Sequence, residues 1–437
     1  MSLHPIFEYM LKFLLPIVLF TSQVFAQKAP AKKMVVATGA DRTELYLPLL
    51  RGKSVGIFAN QTSIIGKTHL VDSLLKRKIN IKKIFAPEHG FRGEADAGEK
   101  LSNMKDPKTG IPIVSLYGSK TKPSEEDLSD IDILLFDIQD VGVRFYTYIS
   151  SLQKFIEAAI ENNRPMIILD RPNPNGFYVD GPVLDTTFRS FVGMQPVPVV
   201  YGMTIGEYAR MLVTEKWLNA EVTGDLNTIH AIDDAEKKLD SLIKKLHGEE
   251  IDFGTSGFQL LVIPCKNYTH NTKYVLPVKP SPNLPNMQAI YLYPSLCFFE
   301  GTAVSLGRGT NKPFQQFGNP NFPKTGYQFT PKSVEGAKNP PLVNQLCYGY
   351  DLSRDAVATG KSGQLQLKWL IKAYSLYPNK ENFFLASGFF NKLAGSDRLM
   401  NQIKDGKSEA EIRKSWEPAL SHFKTIRKKY LLYSDFR

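Results

Sequence analysis

Short apolar runs alternate along the first half of the chain with segments whose apolar residues recur at helical spacing. The apolar runs predict strands and the periodic segments predict helices. Strands are predicted at residues 54–60, 81–86, 111–116, 131–138, 166–169 and 258–263, and helices at 68–78, 146–162, 204–217 and 233–246. Strands that alternate with helices favour a parallel sheet covered by helices on both faces, so the expected fold class is α/β.

This pattern changes at residues 277–285, where four of nine positions are proline. We therefore predict a domain boundary there, with one domain over residues 37–280 and a smaller one over residues 281–437. The second domain contains predicted helices at residues 362–374 and 408–416. The last of these begins with the capping-box pair Ser408 and Glu411.

The first residues of the chain are typical of a secretory signal peptide. Lys12 precedes an apolar run at residues 13–20, and Val24 and Ala26 are small residues at the two positions that a signal peptidase reads. The run is less than half of the ~20 residues that a membrane span needs. We predict a signal peptide over residues 1–26 cleaved near Ala26, a linker over residues 27–36, and a periplasmic or secreted protein without stable membrane insertion.

The composition of the chain limits the partners and cofactors that are expected. There are 54 Lys and Arg residues against 43 Asp and Glu residues, for a net charge of +11, and a basic secreted protein suits an anionic partner such as cell-wall glycan. The basic residues are spread widely and lack the motifs of RNA-binding domains, so no nucleic acid is expected. The three cysteines allow at most one disulfide. No metal or other cofactor is expected, because no Cys/His cluster has metal-site spacing and the sequence GRGT at residues 307–310 lacks the nucleotide-loop pattern.

Polar clusters lie at the ends of three predicted strands. They are EHGFRG at residues 88–93, DIQDVGVR at residues 137–144 and DRPNP at residues 170–174. Because the carboxyl ends of parallel strands lie along one edge of a sheet, where ligands bind, we expect the three clusters to converge on one site.

Acidic residues in these clusters are candidate catalytic groups. Glu88, with His89 beside it, is the candidate general acid and base, and glycosidic cleavage ordinarily uses a pair of carboxylates. Asp137 and Asp170 would orient the substrate or activate water. Structural alternatives stay open, since Glu88 and His89 could cap a helix and Asp170 could hold a turn.

Arginine, tyrosine and asparagine side chains near the clusters are candidate substrate ligands. Arg92 and Arg144 can clamp a carboxylate or phosphate, because a guanidinium donates two parallel hydrogen bonds; structural ion pairs are the alternative. Tyr146 and Tyr148 can stack on a sugar ring or pack within the helix. Asn283, in a proline-flanked turn, can contact a ligand or serve the turn alone.

Six motifs taken in order resemble the exo-β-N-acetylmuramidases of NamZ type, glycoside hydrolase family 171, formerly a domain of unknown function. The motifs are EHGFRG at 88–93, DIQDVGVRFYTY at 137–148, DRPNP at 170–174, GMTIGE at 202–207, SPNLP at 281–285 and EGT at 300–302. The resemblance implies a Rossmann-like N-terminal domain, a smaller α+β C-terminal domain and a cleft between them. It adds the motif residues Gln139, Asn173 and Glu300 to the candidate substrate ligands.

The resemblance also implies an activity, the removal of β-1,4-linked N-acetylmuramic acid from the non-reducing end of peptidoglycan fragments, MurNAc-GlcNAc and longer, in cell-wall turnover or recycling. The lactyl carboxylate of this sugar requires an arginine such as Arg92 or Arg144. Tyr201 stands where many relatives have His, so specificity would differ if this position contacts substrate. Two alternatives remain: a non-catalytic muramyl-glycan-binding protein, and a β-N-acetylglucosaminidase or esterase acting on related glycans.

Overall fold

The computed structural model describes residues 35–88, 90–92, 104–220, 228–231, 258–324 and 326–436, with the backbone alone at 228–231. The predicted signal peptide, most of the predicted linker, His89 and the predicted helix at 233–246 lie outside the described residues.

Thirteen strands are present in the described ranges. In chain order they are β1 Ser54–Ala59, β2 Ile64–Ile65, β3 Thr68–His69, β4 Asn80–Ala86, β5 Met104–Lys105, β6 Pro112–Ser115, β7 Ile133–Asp137, β8 Met166–Leu169, β9 Thr228–Ala231, β10 Gln259–Ile263, β11 Gln316–Asn319, β12 Gln328–Phe329 and β13 Cys347–Asp351. Eight of them form one sheet in the order β5-β6-β4-β1-β7-β8-β10-β9. Every neighbouring pair is parallel except β5 with β6, which confirms the predicted α/β class.

The same ranges contain eleven α-helices. They are α1 Thr43–Leu50, α2 Leu70–Lys76, α3 Glu125–Leu128, α4 Tyr148–Glu161, α5 Ile205–Thr214, α6 Met287–Leu296, α7 Ala356–Ser362, α8 Lys368–Leu376, α9 Phe389–Ala394, α10 Arg398–Lys404 and α11 Glu409–Lys428. The C-terminal part combines α6 to α11 with the antiparallel sheet β11-β13-β12. It is therefore the predicted α+β region.

The two faces of the large sheet carry separate apolar layers, because successive side chains of a strand point to opposite faces. On one face Phe58 stacks on Phe136, with 4.7 Å between ring centroids, and Phe155 of α4 packs against both. On the other face Ile57 and Leu135 belong to a core cluster with residues of α1 and α2. The layer that contains the phenylalanines continues into the C-terminal region.

The largest differences from the predicted helix boundaries lie in the C-terminal region. Instead of one helix at residues 362–374, α7 ends at Ser362, Gly363 adopts a left-handed φ of 59°, and α8 begins at Lys368. A left-handed glycine is a common helix terminator, so the predicted continuous helix is wrong. Ser408 and Glu411 form the predicted capping box, but α11 then runs on to Lys428.

A buried ion pair joins the ends of β7 and β8. Nε and Nη2 of Arg171 donate to the two carboxylate oxygens of Asp137 at 2.5 and 2.8 Å, and neither side chain is more than 2% exposed. Arg171 also donates to the carbonyl of Ile64 in β2, the short strand that follows β1. The pair therefore ties the ends of β7 and β8 to the segment that follows β1.

We expect Asp137→Ala to lower the free energy of unfolding by about 3–5 kcal/mol, because it leaves the Arg171 charge buried and unpaired. The matched control is Asp130→Ala, which breaks a half-exposed pair with Lys83 and is expected to cost less than about 1 kcal/mol. Urea denaturation measures both variants. A similar small loss in both would contradict the structural importance of the buried pair.

Candidate active site

A cavity of about 320 Å³ lies beside the carboxyl edge of the sheet. Five of the candidate residues from the sequence line it: Glu88, Tyr146, Tyr148, Asn283 and Glu300. They come from the end of β4, the start of α4, the turn before α6 and the 3₁₀ helix Cys297–Gly301. The fold thus brings together residues that are more than two hundred positions apart in the chain.

Glu88 reaches this cavity because of strand register. Ala86 of β4 pairs with Ser115 of β6, so Glu88 and Tyr117 each follow their strand by two residues. The Tyr117 hydroxyl hydrogen-bonds the Glu88 side chain. Burial raises the pKa of Tyr117 well above its usual range, and the nearby Glu88 charge raises it further, so Tyr117 is a permanent hydrogen-bond donor at neutral pH.

Two tyrosines form an aromatic wall of the cavity. The rings of Tyr146 and Tyr148 meet edge to face, with 4.6 Å between centroids. The Tyr146 hydroxyl donates to the carbonyl of Pro280 at 2.8 Å, and Asn60 donates from Nδ2 to the Tyr148 hydroxyl at 2.8 Å. Asn60 follows β1 at the point where strand order reverses, which is where ligands bind in open α/β sheets.

An ion pair between Glu300 and Arg308 forms another part of the wall. Nε of Arg308 donates to Oε1 of Glu300 at 2.7 Å, and Nη2 donates to the same oxygen. Both side chains are 22% exposed, so the pair is accessible from the cavity. Arg308 was not among the sequence candidates, and neither was Tyr117.

Two family models match the chain. The model described as Exo-beta-N-acetylmuramidase NamZ, N-terminal, matches residues 55–288, and its C-terminal counterpart matches residues 291–433. The chain belongs to the exo-β-N-acetylmuramidase NamZ family. Together the two matches cover most of the chain, as expected from the order of the six motifs.

Individual relatives agree with this membership. The peptidoglycan beta-N-acetylmuramidase NamZ of Bacillus subtilis strain 168 is 37% identical over 426 residues, which is 92% of each chain. A crystal structure of a DUF1343 family protein from Bacteroides fragilis NCTC 9343 is 45% identical with a TM-score of 0.76, covering 92% of this chain and 100% of that one. A second such protein from the same organism shares the fold at 24% identity, with a TM-score of 0.70 and coverage of 91% and 99%.

In this NamZ-family chain the two candidate arginines have structural partners. Arg92 donates from Nε and Nη2 to the two carboxylate oxygens of Asp106 at 3.1 and 2.8 Å. Arg144 is fully buried and donates to three backbone carbonyls at 2.7 to 2.8 Å, those of Pro182, Val197 and Leu393. Neither lines the described cavity.

Four other candidates from the sequence are buried and are not among the described lining of the cavity. They are Asp137, Gln139, Asp170 and Asn173. The Asp170 carboxylate accepts hydrogen bonds from the Thr204 and Tyr433 hydroxyls. Gln139 donates to the carbonyl of Pro172, and Asn173 to that of Met203.

Through these hydrogen bonds and the Asp137–Arg171 ion pair, all four side chains stabilise the folded structure. Their assigned roles in catalysis and substrate binding stay predictions, and so does the role of His89.

Other parts of the chain contribute no further candidate chemistry within the described ranges. Cys265, Cys297 and Cys347 are all buried and free. No group of three His, Cys, Asp or Glu residues that could hold a metal ion occurs there. None of the helices described combines the length and apolar character needed to cross a membrane.

Tyr201 is fully buried, and its hydroxyl donates to Oδ2 of Asp140. The backbone N–H of Gly142 donates to the same oxygen at 2.6 Å. Tyr201 is not part of the described cavity lining. Burial raises the pKa of Asp140 to about 7, although these two hydrogen bonds oppose the shift. This tyrosine therefore helps to hold the segment after β7 through its hydrogen bond to Asp140.

The raised pKa of Asp140 predicts a pH-dependent stability. A carboxyl group with a raised pKa favours folding in its protonated form, so its contribution is full below about pH 4 and is lost as the pH rises through about 7. Asp140→Asn stays neutral and keeps an acceptor for Tyr201. The free energy of unfolding of the parent protein should fall relative to this variant by up to about 4 kcal/mol between pH 4 and pH 8, measured by urea titration at several pH values. Parallel stability curves would contradict this assignment.

Proposed function

We propose that the protein is an exo-acting β-N-acetylmuramidase. It releases β-1,4-linked N-acetylmuramic acid from the non-reducing end of peptidoglycan fragments, MurNAc-GlcNAc and longer, during cell-wall turnover. The observation that carries this proposal is Glu88, a carboxyl group held by Tyr117 at the wall of a small aromatic cavity. Membership of the NamZ family and the muramidase activity of the B. subtilis relative support it.

The cavity suits a single terminal sugar. Its volume of about 320 Å³ lies at the small end of ligand pockets, which span about 300–1,000 Å³, so it fits one sugar better than a long glycan. The rings of Tyr146 and Tyr148 offer apolar surface to the C–H groups of a pyranose. Asn283, Glu300 and Arg308 offer polar groups to its substituents.

Glu88 acts as the general acid in this account. It gives its proton to the glycosidic oxygen as the bond from that oxygen to C1 breaks, and the shortened glycan leaves as an alcohol. The substrate's own 2-acetamido oxygen bonds to C1, as in substrate-assisted glycosidases. Water then attacks C1, breaks that bond and returns a proton to Glu88.

No enzyme nucleophile is needed in this scheme. Glu300 is the other carboxylate in the described lining, and its charge is already matched by Arg308. Tyr117 positions Glu88 and takes no part in proton transfer, because its pKa is far above neutral.

Glu88→Gln tests the acid role through the leaving group. We expect kcat on MurNAc-GlcNAc to fall about 10²- to 10⁴-fold, the usual contribution of a general acid. A 2,4-dinitrophenyl β-muramide should lose much less, because its leaving group departs without a proton. Asp130→Asn, which changes an exposed carboxylate in the segment before β7, is the control and should keep both rates. Equal losses on both substrates, or wild-type turnover of the disaccharide, would sink the assignment.

We further propose that the enzyme acts outside the cytoplasm after loss of residues 1–26. The support is the apolar run at residues 13–20 followed by small residues at positions 24 and 26. Mass spectrometry of the protein from the periplasm or culture medium should give Gln27 as the first residue. Ala26→Asp should block this cleavage. An exported protein that retains Met1 would contradict the proposal.

A further inference from the structure

Two cavities meet at the Glu300–Arg308 pair. One is the Glu88 cavity, and the other, of about 620 Å³, is lined by residues of the C-terminal region such as Asn319, Leu342 and Tyr377. Both count Glu300 and Arg308 among their lining residues. Arg308 is the one cation that the described residues contribute to the Glu88 cavity, so an anionic substituent of a ligand there has a single described partner of opposite charge.

We propose that Arg308 binds the lactyl carboxylate of the terminal sugar and thereby distinguishes N-acetylmuramic acid from N-acetylglucosamine. The inference rests on the proposed function, since it assigns a substituent of that substrate to a residue of the same cavity. The lactyl ether is the feature that separates the two sugars, and its carboxylate is their one difference in charge. A residue that binds this carboxylate therefore determines which of the two sugars the enzyme prefers.

The hydrogen bonds of Arg308 leave room for this carboxylate. Nε and Nη2 both donate to Oε1 of Glu300, so the pair uses one edge of the guanidinium and Nη1 takes no part in it. The second edge, formed by Nη1 and the other hydrogen of Nη2, has the fork geometry that matches a carboxylate. Glu300 thus orients the guanidinium and leaves its second edge for a ligand.

The surroundings of Arg308 hold its side chain in place. Gly307 and Gly309 on either side adopt φ values of 85° and 78°, a left-handed conformation that glycine adopts without steric cost. The guanidinium carbon lies 5.1 Å from the ring centroid of Phe314. An arginine fixed by its backbone, an aromatic ring and a carboxylate is preorganised, which lowers the cost of binding a ligand.

The other arginines proposed for this role are not among the described residues that line the cavity. Arg92 donates from Nε and Nη2 to both oxygens of Asp106. Arg144 is fully buried among carbonyl groups. The sequence predicts that an arginine binds the lactyl carboxylate, and Arg308 fits this role better than Arg92 or Arg144.

The acid and the carboxylate site are close enough to act on one sugar. The Arg308 charge lowers the pKa of Tyr117, although burial and Glu88 outweigh it. Tyr117 in turn hydrogen-bonds Glu88. The glycosidic C1 and the lactyl-bearing C3 belong to the same pyranose ring, so a sugar in this cavity can present one to Glu88 and the other to Arg308.

The test compares p-nitrophenyl β-muramide with p-nitrophenyl β-glucosaminide. The parent enzyme should prefer the muramide, and Arg308→Gln should lower the muramide-to-glucosaminide ratio of kcat/KM by about 30-fold or more, the usual loss when one partner of a desolvated charge pair is removed. The loss should fall mainly on KM. Arg308→Lys should give an intermediate ratio, because lysine keeps the charge without the fork.

Arg92→Gln is the matched control and also tests the competing assignment. It removes an ion-paired arginine of similar exposure and should leave the ratio unchanged. An unchanged ratio in Arg308→Gln, or an equal fall in Arg92→Gln, would overturn the role of Arg308. If Arg308→Gln melts much earlier than the parent, the double variant Glu300→Gln/Arg308→Gln replaces it, because it leaves no unpaired charge.

Calorimetric binding of the free sugars separates this inference from the proposed function. The parent protein should bind MurNAc more tightly than GlcNAc, and Arg308→Gln should bind the two alike. If the parent cleaves neither chromogenic substrate, the proposed function fails, but the binding comparison still decides the role of Arg308. Equal affinities in the parent, or a preference that survives in Arg308→Gln, would overturn it.

Discussion

The ion pair between Asp137 and Arg171 is the interaction on which the carboxyl edge of the sheet depends. It ties the ends of β7 and β8 to each other and, through the carbonyl of Ile64, to β2, the short strand that follows β1. Ser63 adds a hydrogen bond from its hydroxyl to the carbonyl of Asp137 at 2.5 Å. Buried polar groups need partners, and here the partners come from neighbouring strand ends, so satisfying them also fixes the loops.

The acidic residues at the carboxyl edge therefore fall into two groups: buried ones that stabilise the fold, and one that lines the cavity. Asp137 at the end of β7 and Asp170 after β8 are buried, and Asp170 accepts a hydrogen bond from Tyr433. The carboxylate after β4 instead lines the cavity, next to Tyr117 from the adjacent strand end. Rigid neighbours behind a small cavity suit catalysis, because they hold the acid in position.

The sequence allowed the fold class to be predicted because buried parallel strands are continuous apolar runs, and β7 is a clear example. It also singled out Glu88 by its place at a strand end. It did not separate Glu88 from Asp137 and Asp170, because all three follow strands and only tertiary contacts show which carboxylates are enclosed. The position of His89 in the site is not described by the structure.

Tyr117 and Arg308 were missed for different reasons. Tyr117 follows a short strand, and only the register of β6 against β4 places it opposite Glu88. Arg308 lies far along the chain in a glycine-flanked segment that shows no strand or helix pattern. Arg92 and Arg144 belong to family motifs, yet a motif does not show that Arg92 pairs with Asp106 or that Arg144 donates to buried backbone carbonyls.

The most direct test of the account is a crystal structure of the Glu88→Gln protein with MurNAc-GlcNAc bound. The account predicts that the muramyl ring occupies the cavity against Tyr146 and Tyr148, with the glycosidic oxygen within hydrogen-bonding distance of the side chain at position 88 and the lactyl carboxylate on Arg308. A disaccharide bound with its glycosidic oxygen away from position 88, or its muramyl ring in the larger neighbouring cavity, would contradict it.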